Sequence, residues 1–250
     1  DLDDGIDKLT LAAGGNEGTL SNIETITGGS GADLISVDNQ LSNAQVDLAA
    51  GADSLTLSSS DNVATISNVE TLTGDAGDDA ITLGAAASNA SVDLDAGDDT
   101  LTLAVGTNTL TVSNVETIVG AGGSDSITLG GALTTDLAID LGAGKDILKL
   151  DAVANEGTIN NIESVLGGSD DDTLTLGQTV SAGWFALGAA AIALFAALPA
   201  HAHVVLEETL GAAGRHGGRI EVDSEPGIGT RVTLWFPLAE LPRLATAGAA

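Results

Sequence analysis

The chain is predicted to be an all-β protein whose residues 1–178 form a parallel β-solenoid, or β-roll, of eight Gly/Asp turns in four repeats of about 46 residues. Two observations predict this fold: internal repeats of fixed spacing, and short alternating Thr/Leu strands between the turns. A third is the aromatic content of only 2%, because stacked Leu, Ile and Val rows need no aromatic core. A Greek-key β-sandwich is the competing all-β fold, and the strict period disfavours it.

Two sequence strings alternate along this repeat region. DLDAGDDTLTL at 93–103 recurs in related form at 1–11, 47–57 and 140–150. SNVETLTGDAGDDAITL at 67–83 recurs at 21–37, 113–129 and 160–176. Within each string the residues alternate, so Leu101 and Leu103 point to one face of their strand and the threonines to the other. Copies stacked in register would fill one continuous interior.

The composition restricts the partners. The chain has 36 acidic and 7 basic residues, a net charge of −29, which excludes nucleic acid and suits cations. The absence of Cys excludes disulfides and thiolate metal sites. No Ser/His/Asp set is present and no His lies near the repeats, so we expect no enzymatic activity. The chain begins at Asp1 without Met, and we expect it to be a piece of a longer protein.

Each turn carries an aspartate at one fixed place, and in seven of the eight turns a glycine stands two residues before it. Glycine permits positive φ, which lets consecutive carbonyls turn inward. A carboxylate beside inward carbonyls is an all-oxygen environment that suits Ca²⁺. The predicted metal-site residues are Asp7, Gly28, Gly29, Gly31, Asp33, Gly51, Asp53, Gly74, Gly77, Asp79, Gly97, Asp99, Gly120, Gly123, Asp125, Gly144, Asp146, Gly167 and Asp172.

The stretch GGSGADLIS at 28–36 resembles the hemolysin-type (RTX) calcium-binding nonapeptide G-G-x-G-x-D-x-U-x, where U is a large apolar residue. The resemblance implies a β-roll that binds several Ca²⁺ ions, type I secretion, and an extracellular or cell-surface location. Successive turns here lie further apart than one nonapeptide, as from Asp33 to Asp53 and on to Asp79, so we expect a wider coil with one calcium edge and one irregular edge. The alternative is a solenoid whose turns bind nothing, since Gly and Asp are favoured in turns anyway.

Two further repeated patterns have more than one interpretation. The Asn-x-Glu pairs form either an Asn ladder with a solvated Glu row or a set of extra calcium ligands. The Thr rows suggest an ice-binding face, or are simply good strand residues. The Asn-x-Glu pairs are Asn22/Glu24, Asn68/Glu70, Asn114/Glu116 and Asn161/Glu163.

Residues 179–202 do not continue the repeat. The apolar run 183–198 predicts a helix that is short for a membrane span and close in length to a signal-peptide core. Ala200-His201-Ala202 has the small-x-small form of a cleavage site. Residues 183–214 resemble a signal peptide followed by the start of a YcnI-like copper-handling protein, which would give His203 a role only after cleavage.

Residues 203–250 include a stretch, 216–238, that resembles the end of a histidine-kinase ATP-binding domain, with Gly227, Gly229 and Thr230 as its G-x-G-T box. The family's other ATP- and Mg²⁺-binding segments have no counterpart, so a sensor kinase is disfavoured. Locally the stretch predicts a β-hairpin that turns at Pro226-Gly227. We interpret 179–250 as a chimeric or artificial join without an independent functional domain. A roll anchored to a membrane through 183–200 is the alternative.

The repeats therefore predict a calcium-binding structural or adhesive region of a secreted or cell-surface bacterial protein. Its expected partners are calcium ions and cell-surface or surface-layer components. The alternative is the secretion and folding module of a type I-secreted enzyme, a protease or lipase, whose catalytic domain is absent from this chain.

Overall fold

Two parallel β-sheets face each other across one apolar interior in the computed structural model. The structure describes residues 5–168, 170 and 172–177, and the strands at 184–186, 193–196, 219–225 and 229–235. Sheet A contains β1 (Lys8–Thr10), β3 (Thr25–Thr27), β5 (Ser42–Asp47), β7 (Val63–Ser67), β9 (Ala80–Leu83), β11 (Thr100–Thr102), β13 (Thr117–Val119), β15 (Ala138–Asp140), β17 (Glu156–Asn160), β19 (Thr173–Leu176) and β21 (Ala193–Ala196). Sheet B contains β2 (Glu17–Leu20), β4 (Leu34–Val37), β6 (Ser54–Thr56), β8 (Thr71–Ala76), β10 (Ser88–Ala96), β12 (Thr109–Ser113), β14 (Ser126–Leu129), β16 (Ile147–Lys149), β18 (Ser164–Leu166) and β20 (Trp184–Ala186).

The chain visits the two sheets alternately, so each coil contributes one strand to each sheet. This confirms the predicted parallel β-solenoid, with about eight turns between residues 8 and 176. A turn leads into each strand, and we call the turns into sheet A edge A and those into sheet B edge B. All pairings from β1 to β19 are parallel, because every connection goes through the opposite sheet.

The coil is shorter than the sequence predicted. One coil leads from Thr25 to its pairing partner Gln45, and another from Ser126 to Ile147. The expectation that the Gly/Asp turns share a single edge is wrong, because their aspartates precede strands of both sheets. The spacing of the aspartates alternates because the shorter step, from Asp33 to Asp53, stays on one edge, whereas the longer step, from Asp53 to Asp79, crosses to the other.

The core consists of aliphatic rows that run along the solenoid axis. In sheet A, register places Leu101 beside Ile81 and Ile118, and each of these three residues is at most 1% exposed. The partner residues of successive coils face the same interior, since strand side chains alternate with a period of two. Each strand is too short to form a core alone, and stacking in register gives every row its neighbours.

Glycines mark the places where neighbouring coils come closest. A Cβ on Gly120 would overlap the backbone carbonyl of Leu141 in the next coil, and Gly28 and Gly74 lie against Leu48 and Leu94 in the same way. A backbone carbonyl in a paired coil cannot move aside cheaply. These glycines are therefore required by packing between coils.

We expect Gly120→Ala to lower the free energy of unfolding by about 2 kcal/mol, because the added methyl group forces two coils apart. Gly131→Ala is the matched control, since a Cβ there meets nothing within 4 Å, and its effect should stay within about 0.5 kcal/mol. Urea unfolding followed by circular dichroism measures both. Equal stabilities of the two variants would contradict the packing role of Gly120.

The C-terminal strands differ in part from the prediction. A helix was expected over 183–198, but Trp184–Ala186 and Ala193–Ala196 are strands that pair with β18 and β19. The unpaired N–H and C=O groups at a sheet edge favour addition of a further strand, which explains the difference.

The hairpin predicted within 216–238 is present as β22 (Arg219–Glu225) and β23 (Gly229–Trp235), which are antiparallel. The cleavage-like site at 200–202 and the copper-protein resemblance at 203–214 lie outside the described residues. No helix in the described part of the chain has the length and hydropathy of a membrane span.

Candidate cation-binding turns

The eight turn aspartates each stand directly before a strand, and they divide equally between the two edges. Seven of them are at most 2% exposed, and Asp7 is half-buried. A carboxylate this deeply buried is costly unless it is paired, hydrogen-bonded or neutralised. Asp7, Asp79, Asp99 and Asp172 lie on edge A, and Asp33, Asp53, Asp125 and Asp146 lie on edge B.

One carboxylate oxygen of each buried aspartate joins neighbouring coils. The backbone N–H of Asp79 donates to Oδ1 of Asp99 in the next coil at 2.7 Å. Asp33 donates to Oδ1 of Asp53 in the same way, also at 2.7 Å. The aspartates are thus structural: their Oδ1 atoms accept the N–H groups that open each turn.

The other carboxylate oxygen has no partner in the described structure. Oδ2 of all eight aspartates is buried and accepts no hydrogen bond from any described residue. An unsatisfied buried oxygen is costly, and an unsatisfied buried charge more so. Each of these atoms therefore requires either a proton or a cation beside it.

Asparagines that the sequence analysis missed occupy the same ladder position in other coils. Asn62 is fully buried, and its Nδ2 donates to the carbonyls of Ser58 at 2.9 Å and Ser60 at 2.6 Å, and to Oδ1 of Asp79 at 2.9 Å. Its backbone N–H also donates to Asp79 Oδ1, at 2.8 Å. The signal in the sequence was an asparagine recurring at the repeat spacing, at Asn16, Asn62, Asn108 and Asn155.

The Asn turns indicate what the unpartnered oxygen of the Asp turns faces. Asn62 and Asp79 are successive members of one ladder, so Oδ2 of the aspartate corresponds to Nδ2 of the asparagine. In the Asn turn that atom lies among two turn carbonyls and the next carboxylate. By this correspondence Oδ2 of the aspartate is expected to face oxygens, and it accepts no hydrogen bond from a described residue.

In three turns the glycine two residues before the aspartate lies where such oxygens approach one another. At Gly51 the ideal Cβ position is 2.5 Å from Asp53 Oδ1 and 2.6 Å from the carbonyl oxygen of Gly31. Gly97 and Gly144 have equivalent neighbours in their own turns. Positive φ, the reason predicted for this glycine column, applies to Gly77 and Gly123 alone among the predicted site glycines. At Gly28, Gly31 and Gly120, for example, the requirement is close approach of the neighbouring coil.

The repeated glutamates end the ladders by accepting backbone N–H groups, so they do not form a freely solvated row. Glu70 Oε2 accepts the backbone N–H of Asp53 at 2.8 Å, and Glu116 accepts that of Asp99 at 2.8 Å. Glu24 and Glu163 accept the N–H groups of Asp7 and Asp146. The asparagines of these pairs do not stack on one another; Asn68, Asn114 and Asn161 have positive φ and donate to Asp47, Asp93 and Asp140.

Together these contacts define a ladder of four residues, Asn-Asp-Asp-Glu. Each backbone N–H within it donates to the side-chain oxygen of the next member. One ladder begins in each repeat, and a repeat contains five strands, so successive ladders alternate between the edges. The complete ladders are Asn16-Asp33-Asp53-Glu70, Asn62-Asp79-Asp99-Glu116 and Asn108-Asp125-Asp146-Glu163; another begins at Asn155-Asp172, and Asp7-Glu24 is the end of one more.

Burial and neighbouring charges disfavour the ionised form of several ladder aspartates. Burial raises the pKa of Asp99 to about 6; the charges of Asp79, Glu116 and Asp78 raise it too, and the hydrogen bond from Asp79 lowers it. Burial likewise raises the pKa of Asp146 to about 6, with Glu163 and Asp125 adding to it. The pKa values of Asp53 and Asp79 are also raised, mainly by burial. A nearby cation would lower these pKa values, because it favours the charged form of each carboxylate.

Carboxylate and backbone carbonyl oxygens are the ligands that a hard cation such as Ca²⁺ prefers, and the turns offer both. Among the described residues, no group of three or more His, Cys, Asp or Glu side chains is placed to hold a metal. A cation in these turns would therefore take most of its ligands from backbone carbonyls, with the aspartates supplying charge. Gly28, Gly29 and Gly167 lie in the same turns, several residues before Asp33 and Asp172.

Comparison with family models, with curated proteins and with solved structures gave no match. The ladder geometry is consequently the basis for assigning a function.

Proposed function

We propose that residues 5–177 form a calcium-binding structural module of a secreted or cell-surface bacterial protein. The observation that carries this proposal is the set of eight buried Oδ2 atoms in stacked turns, which have no hydrogen-bond partner among the described residues. They are ordered on two edges, and each lies in a turn whose Asn counterpart places a donor there. The ions are several Ca²⁺, bound by turn carbonyls and the aspartates.

Charge favours calcium over protonation at neutral pH. Residues 1–180 contain most of the acidic residues of the chain, no Arg, and only Lys8, Lys145 and Lys149 as basic residues. The aspartates of each ladder stack on successive coils, and without counter-ions these charges repel one another and oppose the compact state. The metal ligands come together only in the folded chain, so the free energy of metal binding contributes to the free energy of folding. The module thus folds where Ca²⁺ is abundant.

An extracellular location follows from the same argument, since extracellular calcium modules work at Kd of roughly 10⁻⁴–10⁻³ M. The role is structural or adhesive, with calcium ions and surface-layer or other cell-surface components as partners, and it involves no catalysis. The alternative function, a folding module of a secreted protease or lipase, uses the same calcium chemistry. The two functions differ in that the second requires a catalytic domain elsewhere in the protein.

Calcium titration of the whole chain tests the proposal. In EGTA at pH 7.5 the β-sheet circular dichroism signal and the melting temperature should be low, and millimolar Ca²⁺ should raise both. Calorimetry should show several sites, and Mg²⁺ at equal concentration should bind less well because it demands a small octahedral site. An unchanged spectrum and melting temperature on adding Ca²⁺ would exclude the proposed function.

A further inference from the structure

The ladder asparagines occupy turns in which, among the described residues, no buried side-chain oxygen or nitrogen lacks a hydrogen-bond partner. We infer that Asn16, Asn62, Asn108 and Asn155 are built-in substitutes for a cation, and that they determine which turns require one. The inference extends the proposed function, because it assigns the Asp turns to cations and the Asn turns to none.

Asn108 shows how a turn closes without an ion. Its Nδ2 donates to the carbonyls of Ala104 at 2.8 Å and Gly106 at 3.1 Å, and to Oδ1 of Asp125 at 2.8 Å. Its own Oδ1 accepts the N–H of Ala87 at 3.1 Å. The side chain is 0% exposed, so these bonds satisfy both of its polar atoms inside the protein.

Asp125, one coil further on, is the contrasting case. It occupies the same ladder position, and its Oδ1 accepts N–H groups from Asn108. Its Oδ2 stands where an amide would have nitrogen, and it is buried without a partner among the described residues. Asn and Asp differ here only in that NH₂ is replaced by oxygen. The amide supplies positive hydrogens to the carbonyls, whereas the carboxylate supplies none.

The other three asparagines repeat these contacts. Each donates through Nδ2 to the carbonyls four and two residues earlier and to the aspartate one coil later, at distances between 2.6 and 3.1 Å. Each of the complete ladders therefore begins with one turn that needs no cation, followed by two that do. The turns of one ladder share an edge, and successive ladders lie on opposite edges.

Exchanging the two residue types should exchange the requirement for calcium. In the full chain, Asn108→Asp should lower the melting temperature in EGTA by several degrees, and saturating Ca²⁺ should restore it close to wild type. Asn108→Ala is the matched control. It removes the hydrogen bonds that the amide donates without creating a carboxylate, so it should lower the melting temperature equally with and without Ca²⁺. The reciprocal change, Asp125→Asn, should raise the melting temperature in EGTA and lower the calcium stoichiometry.

Two results would overturn the inference. One is an Asn108→Asp chain that Ca²⁺ rescues no better than the Ala variant. The other is an Asp125→Asn chain that is less stable than wild type in EGTA, and this second measurement decides the matter if Asn108→Asp does not fold. If wild type binds no Ca²⁺, the proposed function fails, yet Asp125→Asn should still be more stable than wild type at pH 7.5, so the two failures are distinguishable.

Discussion

In the absence of divalent cations, the melting temperature of the solenoid should be higher at pH 5 than at pH 7.5. The cause lies in the buried ladder aspartates. Burial and neighbouring carboxylates raise the pKa of Asp99 and of Asp146 from 3.8 to about 6 in the folded chain. Protonation of either group removes a buried charge that has no cation beside it.

The direction follows from linkage. A group whose folded-state pKa lies above its unfolded value binds protons more tightly when folded. Its stabilising contribution is fully present below about pH 4 and is lost as the pH rises through about 6. With about 1 kcal/mol for each of the two residues after solvent screening, the melting temperature should differ by about 5 °C between pH 5 and 7.5.

Thermal unfolding in EGTA across this pH range measures the effect. An Asp99→Asn/Asp146→Asn double variant should show a smaller pH dependence, because it no longer carries the two titrating groups. Repeating the measurement at high salt separates the effect of burial from that of general charge repulsion. Salt screens exposed charges and leaves buried ones nearly unaffected, so the part of the pH dependence that is due to burial should persist. A melting temperature that falls from pH 7.5 to 5 would show that the carboxylates are not destabilising in the folded chain. Saturating Ca²⁺ should reduce the difference, because it neutralises the same groups.

The fold was predictable from the sequence because the information that specifies it is local and repeated. Leu101 and Leu103 alternate with threonines, and the same alternation recurs in related strings, so the strand period and the stacking direction both follow. Stacking in register places Leu101 between Ile81 and Ile118 in the core, as the repeated alternation predicts. Burial of Asp33 and its counterparts was not predictable, because Asp in a Gly-rich turn is normally solvated.

Coil length was mispredicted because the aspartates were aligned without counting strands. The interval from Asp53 to Asp79 contains strands of both sheets, so the second aspartate lies on the opposite edge. A local pattern gives spacing along the chain and does not say which edge a turn occupies. That assignment depends on pairing between coils, such as Thr71 with Ser54.

Only the aspartates and glutamates of the ladder could be recognised from the sequence. The aspartates stand out beside glycines, whereas Asn62 and Asn108 lie in loops with no shared flanking motif. Their role depends on contacts with Asp79 and Asp125, which are neighbours only after the chain has coiled. Glutamates such as Glu70 were visible, but the hydrogen bond that Glu70 accepts from Asp53 could not be read from spacing alone.

Leu148→Ala should lower the free energy of unfolding by about 2–5 kcal/mol, because Leu148 is 0% exposed and pairs in register with Ile127 and Val165. Leu34→Ala is the control, since Leu34 lies in an equivalent strand of the same sheet and is 50% exposed. In a solenoid each coil contacts only its neighbours, so the cavity should act locally. Hydrogen exchange in saturating Ca²⁺ should show the largest loss of protection in β14, β16 and β18, with β2 and β4 little changed. Uniform loss across all coils would mean that the module unfolds as one cooperative unit, and a Leu148→Ala chain as stable as Leu34→Ala would contradict the assigned core.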